Sequence, residues 1–191
     1  MSESVGFTLV FLTHGDQVVL ARKLKGLGTG CYNGYGGKVK PNETTRGCAV
    51  RELEEETCTE YSRGLVADEA DLVQQAICYF HRRSPDGSQE SIGRCDVFTL
   101  SRWQGILPAR ETEEFSYPFW ISRFHLPTWR LMPGTGVWLP GVLAGRKAIV
   151  HVVHNHDLSH VMEPVKIKEV STFEGLQKGD RCAVALFLLF T

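Results

Sequence analysis

Apolar and polar residues alternate in short runs along most of this chain, and only two stretches carry a helical pattern. Residues 5–12 (VGFTLVFL) form a mostly apolar, β-rich run and residues 17–22 (QVVLAR) a second one. His14-Gly15-Asp16 between them has turn composition, which predicts an antiparallel hairpin. Residues 72–81 and 94–100 read as two more strands, joined through the polar turn region Ser84-Pro85-Asp86-Gly87-Ser88, and residues 115–121 as another. Residues 148–153 and 161–170 predict a closing hairpin. Residues 46–57 are rich in Ala, Arg, Leu and Glu, with Thr44 or Thr45 available as N-cap, and predict the main helix. A shorter helix is expected over 135–144, ended by Gly145. Six glycines within residues 26–37 are too many for regular structure and mark a structured loop. Strands dominate without a repeating βαβ alternation, so the fold class is α+β.

The chain has 191 residues, enough for one domain, and its apolar (42%) and charged (23%) fractions suit a soluble protein with a core. A net charge of −1 carries no basic surplus and hence no strong nucleic-acid signal; Arg82-Arg83 with Arg94 is the one hint of a basic patch. The longest apolar run, residues 183–190 (AVALFLLF), is far short of a membrane span. The N-terminal MSESVGFTLV lacks a basic n-region, so a cytoplasmic protein is expected, with nucleus or mitochondrion compatible. Six widely spaced cysteines form no C-x-x-C pair and read as reduced thiols packed as small apolar side chains. Near-neutrality conceals local concentration: residues 43–60 carry −4 and the remainder +3.

That acidic segment holds the candidate chemistry. Glu52, Glu55 and Glu56 are spaced i, i+3, i+4 and share one helix face, where they repel unless a cation lies among them. Oxygen ligands of this kind select a hard ion such as Mg²⁺ or Mn²⁺, and Gly36-Gly37 upstream allows a bare backbone carbonyl to approach it. A solvated acidic helix face is the competing reading. Val50 and Leu53 lie on another face and anchor the helix.

Spacing decides between the two. Gly37, five residues, Glu43, seven residues, then Arg51-Glu52-Leu53-Glu54-Glu55-Glu56 resembles the Nudix box, G-x5-E-x7-R-E-U-x-E-E-x-G-U, with every charged position filled. The box departs at its end, where Cys58 replaces the glycine that serves the turn leaving the helix and Thr59 replaces an aliphatic residue.

The resemblance implies an α/β/α sandwich, with a mixed central sheet and a catalytic loop-helix-loop, and Mg²⁺-dependent hydrolysis of a nucleoside diphosphate linkage, Mn²⁺ being able to substitute. By that likeness Arg51 pairs with Glu43, while Glu52, Glu55, Glu56 and the Gly37 carbonyl hold divalent ions against substrate phosphates. Either Glu52 or Glu56 takes the proton from the attacking water. A distant carboxylate is common in the family, and Glu111 in the run Arg110-Glu111-Thr112-Glu113-Glu114 is the candidate, with a surface acidic turn as the alternative.

Outside the box, GLGTGCYNGYGGKV (residues 26–39) and the first hairpin resemble the MutT-related oxidised-purine nucleoside triphosphatases, which act on 8-oxo-dGTP. The similarity extends loosely to WLPGVLAGRKAIVHVVHN and VMEPVKIKEV. It implies a nucleobase pocket lined by Thr8, Lys23, Asn33 and Gly36, with Phe80 and Trp138 walling the base; Trp138 has core packing as its alternative. Asn33 offers both donor and acceptor to a purine edge. In those relatives two aspartates and a nearby Trp face the base; here Met132, Gly134 and Thr135 stand at the matching places. A carboxyl reading the oxidised edge is therefore missing, unless Glu113 or Glu114 substitutes.

The expected function is a nucleoside triphosphate pyrophosphohydrolase releasing a monophosphate and pyrophosphate, acting as monomer or homodimer on oxidised purine nucleotides. Alternatives are a dinucleoside polyphosphate, nucleotide sugar or capped RNA as substrate, or a non-catalytic nucleotide-binding module. The enzyme domain is assigned to residues 1–173, and 174–191 to an extension packed on it as an added edge strand or a cover. The run HVVHNHDLSH suggests zinc superficially, but His151 and His154 alternate along a strand, so solvent-facing hairpin histidines are expected.

Overall fold

The computed structural model describes residues 5–174. β1 (Val5–His14) and β2 (Gln17–Arg22) form the expected hairpin, turning at Gly15 with φ +56°. After the glycine-rich loop, which contains only the two-residue β3 (Tyr32–Asn33), comes helix α1 (Thr45–Thr57). β4 (Val73–Arg83) and β5 (Gln89–Leu100) form a long antiparallel pair. Then follow β6 (Phe119–Ser122), α2 (Thr135–Leu143), β7 (Ala148–His154) and β8 (Lys166–Glu169).

The strands build one mixed sheet in the order β3-β2-β1-β5-β4-β7-β8, with β6 pairing on β2. β1–β5 and β4–β7 are parallel and the remaining pairs antiparallel. Side-chain alternation along β1 divides the core. Phe11 joins Cys78, Val97, Val150 and Leu139 on the α2 side, while Val10 and Leu12 join Leu53, Leu65 and Phe98 on the α1 side. One helix on each face makes the α+β sandwich that the element order and the box predicted.

Three local expectations are corrected. Residues 115–121 are not one strand: Pro118 lacks an N–H, so regular pairing starts at Phe119, and Phe115 makes a single bridge to Lys23. The closing hairpin's second strand is only Lys166–Glu169, because residues 157–159 turn, with Leu158 at φ +64°, and Val161 makes an isolated bridge to His154. His154 does not face solvent but is fully buried, while His151 stacks between Tyr79 and His81. The 183–190 run and nearly all of the proposed 174–191 extension lie outside the described residues. Among the described residues no helix is long and apolar enough to cross a membrane.

Candidate active site

The site begins where the glycine-rich loop is laced onto β1. Thr8 N–H donates to the Gly37 carbonyl at 2.9 Å, and Tyr35 exchanges two bonds with Val10. At Gly36, φ is +151° and a Cβ would collide with the Thr8 carbonyl, so only glycine fits so close to the strand.

Helix α1 rises beneath this loop. Thr44 caps it by accepting from Gly47 N–H at 2.8 Å, and Ala49 and Leu53 anchor it to the sheet. Its exit needs no glycine. Cys58 is extended (φ −68°, ψ 142°), and the Thr57 hydroxyl donates to Leu53 O and accepts from Leu65 N–H. The departure from the box at Cys58 therefore leaves the helix end intact.

Arg51 organises one side of the glutamate array. Its guanidinium donates to Glu43 at 2.7 and 3.0 Å, to Glu52 at 2.8 Å and to Glu55 at 2.8 Å. The Arg51 hydrogen bonds hold the Glu43 carboxyl down to about 2, with the Lys40 N–H also donating to it. The Glu52 carboxylate packs against Gly37, and a Cβ there would come within 2.5 Å of Oε1.

Lys23 organises the other side. Its ammonium lies 3.2 Å from Glu56 and 3.0 Å from Glu114, above the Phe115 ring at 4.6 Å. Glu56 also accepts from Gly36 N–H at 2.6 Å. Burial nevertheless pushes the Glu56 carboxyl up to about 8, outweighing the nearby ammonium and the N–H.

Both groups open onto a cavity of about 360 Å³. Gly36, Gly37, Lys23, Glu52, Glu56 and Glu114 line its charged end. Thr8, Asn33, Phe80, Met132 and Trp138, all expected at the base pocket, line the same cavity. Glu43 and Arg51 stand outside the lining and orient Glu52, while Glu55, on the exposed side of the helix, meets the same guanidinium.

Glu111 is not brought in: it is exposed and outside the lining, and Glu114 from the same acidic run holds the place beside Lys23. The run is irregular, so no period told which of its glutamates turns inward; the backbone bond from Leu24 N–H to Glu114 O settles it. Thr135, placed at a base-facing position by the resemblance, lines the cavity too, whereas Phe7, Leu9, Ile92, Cys95 and Val97 were missed as lining residues. All but Ile92 belong to runs that the apolar pattern read as strands, and they pack on the core.

Gly134 explains part of the departure at the base end. It caps α2 with φ +87°, and a Cβ would stand 2.8 Å from Val152 Cγ1, so an aspartate has no room there. Glu113 does not substitute, being paired with Lys25 at the surface. Among the described residues no three carboxylate, imidazole or thiol side chains converge on a common point, because Arg51 and Lys23 divide the glutamates between them.

The geometry agrees with known proteins. Residues 3–140 match the NUDIX domain. The chain is 32% identical over 151 residues to the oxidized purine nucleoside triphosphate hydrolase of Mus musculus, covering 79% of this chain and 87% of that protein. The Danio rerio protein of the same name is 46% identical over 162 residues, covering 83% and 94%. Among solved structures, a mutator MutT protein from Bacillus halodurans matches with a TM-score of 0.69 at 17% identity, covering 86% of this chain and 97% of that one, a likeness of fold. With the charged positions of its box filled, the α1 glutamates facing a glycine-rich loop and its domain matched over residues 3–140, this chain belongs to the Nudix hydrolase family.

Proposed function

We propose that the chain hydrolyses oxidised purine nucleoside triphosphates to the monophosphate and pyrophosphate. The observation that carries this reading is the two-ended cavity. An apolar compartment with the Asn33 amide and Thr135 adjoins Gly37, Glu52 and Glu56, so base and phosphate chain each meet suitable chemistry. The relatives named for oxidised purine triphosphates support the same class of substrate.

Nudix hydrolases generally need a divalent metal, and the oxygen donors here suit one once Lys23 and Arg51 yield their hold on Glu56, Glu114, Glu52 and Glu55. Glu52 presses on the bare Gly37, and Glu56 is a buried carboxyl whose charged form wants a cation. Glu52, Glu55, Glu56, Glu114 and the Gly37 carbonyl would hold Mg²⁺, which suits an all-oxygen donor set. When bound, the ion neutralises charge on the phosphate oxygens and acidifies water. The protein's own contribution is to position and to move a proton. Asn33, Phe80, Met132 and Trp138 fix the base, Arg51 locks Glu52 in orientation, and Glu52 or Glu56 accepts the proton of the attacking water.

Gly134 and Thr135 leave the base to be read by neutral groups, the Asn33 amide and the Thr135 hydroxyl. We assign this activity to a domain over residues 1–173. The cytoplasm is the compartment we propose, supported by the free thiols at Cys31, Cys48, Cys58, Cys78 and Cys95.

A substrate panel with pyrophosphate detection tests the reading. Nucleoside triphosphates are expected to turn over with Mg²⁺ and release pyrophosphate. Preferential cleavage of a dinucleoside polyphosphate, nucleotide sugar or capped RNA, or turnover of none, overturns it.

A further inference from the structure

His154 ends β7 and is fully buried. Its Nε2 lies 2.9 Å from the carbonyl oxygen of Pro133. A carbonyl only accepts, so Nε2 carries a proton and donates it, while Nδ1 is buried and without a hydrogen-bond partner among the described residues. A buried polar atom in that condition costs free energy that an aliphatic side chain would avoid, so the Nε2–H bond is the reason for a histidine here.

The use lies in what Pro133 belongs to. Met132 and Thr135 flank it in the turn at residues 132–135, and both line the cavity. Thr135 N–H donates to Met132 O at 2.9 Å, which closes the turn. Gly134 presses it against β7, with Val152 Cγ1 and Val161 Cγ2 at 2.8 and 3.1 Å from where a Cβ would stand. The bond from His154 fixes the turn's position on that strand. The same imidazole lies 6.0 Å from the Phe80 ring, tilted by 41°, so it also backs a second wall of the cavity. Neither contact reaches Lys23, Glu52 or Glu56.

We propose that His154 is a positioning residue for base recognition. Through the Pro133 carbonyl it holds Met132 and Thr135 in the cavity wall, and so governs how tightly substrate binds without entering the chemistry. The inference rests on the nucleoside triphosphate reading given above.

The test compares wild type, H154N and H154Q in steady-state hydrolysis of 8-oxo-dGTP, with Tm recorded for each. A glutamine amide reaches about as far as Nε2, whereas asparagine stops near the place of Nδ1. H154N is expected to raise KM about tenfold with kcat within about twofold, and H154Q to keep KM within about threefold of wild type. An unchanged KM in H154N, or a fall in kcat at unchanged KM, overturns the proposal. H154M, which fills the volume without a donor, replaces H154N if that variant does not fold. A second readout needs no turnover: the ¹³C-methyl resonance of Met132, one of three methionines, is expected to shift in H154N and return in H154Q. A resonance that does not move overturns the positioning role. If the wild-type chain hydrolyses no nucleoside triphosphate, the functional reading alone falls, and the Met132 resonance still decides the role of His154.

Discussion

The Glu52 carboxylate rests on the α-carbon of Gly37 so closely that a Cβ at position 37 would come within 2.5 Å of its Oε1. Gly37 does not adopt a left-handed φ, so the demand for glycine here is steric rather than conformational. G37A must displace the glutamate, and because only the movable end of that side chain is in the way, the cost falls on the orientation of Glu52 and not on the fold. The expected result is a fall in kcat of about a hundredfold or more with the fold retained, measured by steady-state kinetics beside circular dichroism. Wild-type kcat in G37A would show that Glu52 need not stand where it does.

Glu114 and Glu111 make a matched pair of tests. Glu114 lies 3.0 Å from Lys23 at the cavity, whereas Glu111 is exposed outside it. E114Q is expected to lower kcat/KM about tenfold or more and E111Q to leave it within about twofold. The reverse order would restore Glu111 as the distant carboxylate.

Burial of Glu56 makes metal-free stability depend on pH. Its carboxyl is pushed up to about 8 in the folded chain, above the roughly 4.3 of an unfolded one. A raised carboxyl takes up a proton on folding between these values. Its stabilising contribution is therefore complete below about pH 4 and is lost as pH rises towards 8, at up to about 1.4 kcal/mol per pH unit. In EDTA, the stability of wild type relative to E56Q should decline from pH 5 to 8 and level off above. A flat difference across that range contradicts the burial argument.

Arg51 binds three carboxylates through one planar group, and a lysine cannot reproduce that fork. R51K is expected to lose stability at neutral pH and to raise the Glu43 carboxyl from about 2 towards its ordinary value. Because the Glu43 carboxyl is depressed in the fold, its contribution is present above the ordinary carboxylate range and is lost as pH falls towards 2. Acid unfolding of wild type should therefore carry a Glu43 component that R51K lacks, resolved by NMR titration of the Glu43 side chain. An unmoved Glu43 titration in R51K would assign the depression to another donor.

Apolar runs made the hairpin and the central strands legible, while α1 was legible from its composition and Thr44 cap and α2 from the Gly145 that ends it. The box was legible because its charges are local: Glu43, Arg51, Glu52, Glu55 and Glu56 lie within one loop and one helix, the first four meeting each other and Glu56 turning to Lys23. What stayed hidden depends on contacts across the sequence. Lys23 finds Glu114 over 91 positions, and His154 finds Pro133 over 21. A histidine in a polar run reads as solvated until a buried carbonyl is placed opposite it. Phe7 and Leu9 are both core and cavity wall, so no apolar pattern could separate the two roles.

The most direct measurement is kcat/KM for 8-oxo-dGTP against dGTP, with Mg²⁺ and the products identified. On the proposed reading, in which the Asn33 amide and the apolar wall recognise the base, the oxidised purine is expected to be favoured by about tenfold or more, with 8-oxo-dGMP and pyrophosphate as products. Equal rates on the two nucleotides, or hydrolysis of neither, would contradict the account.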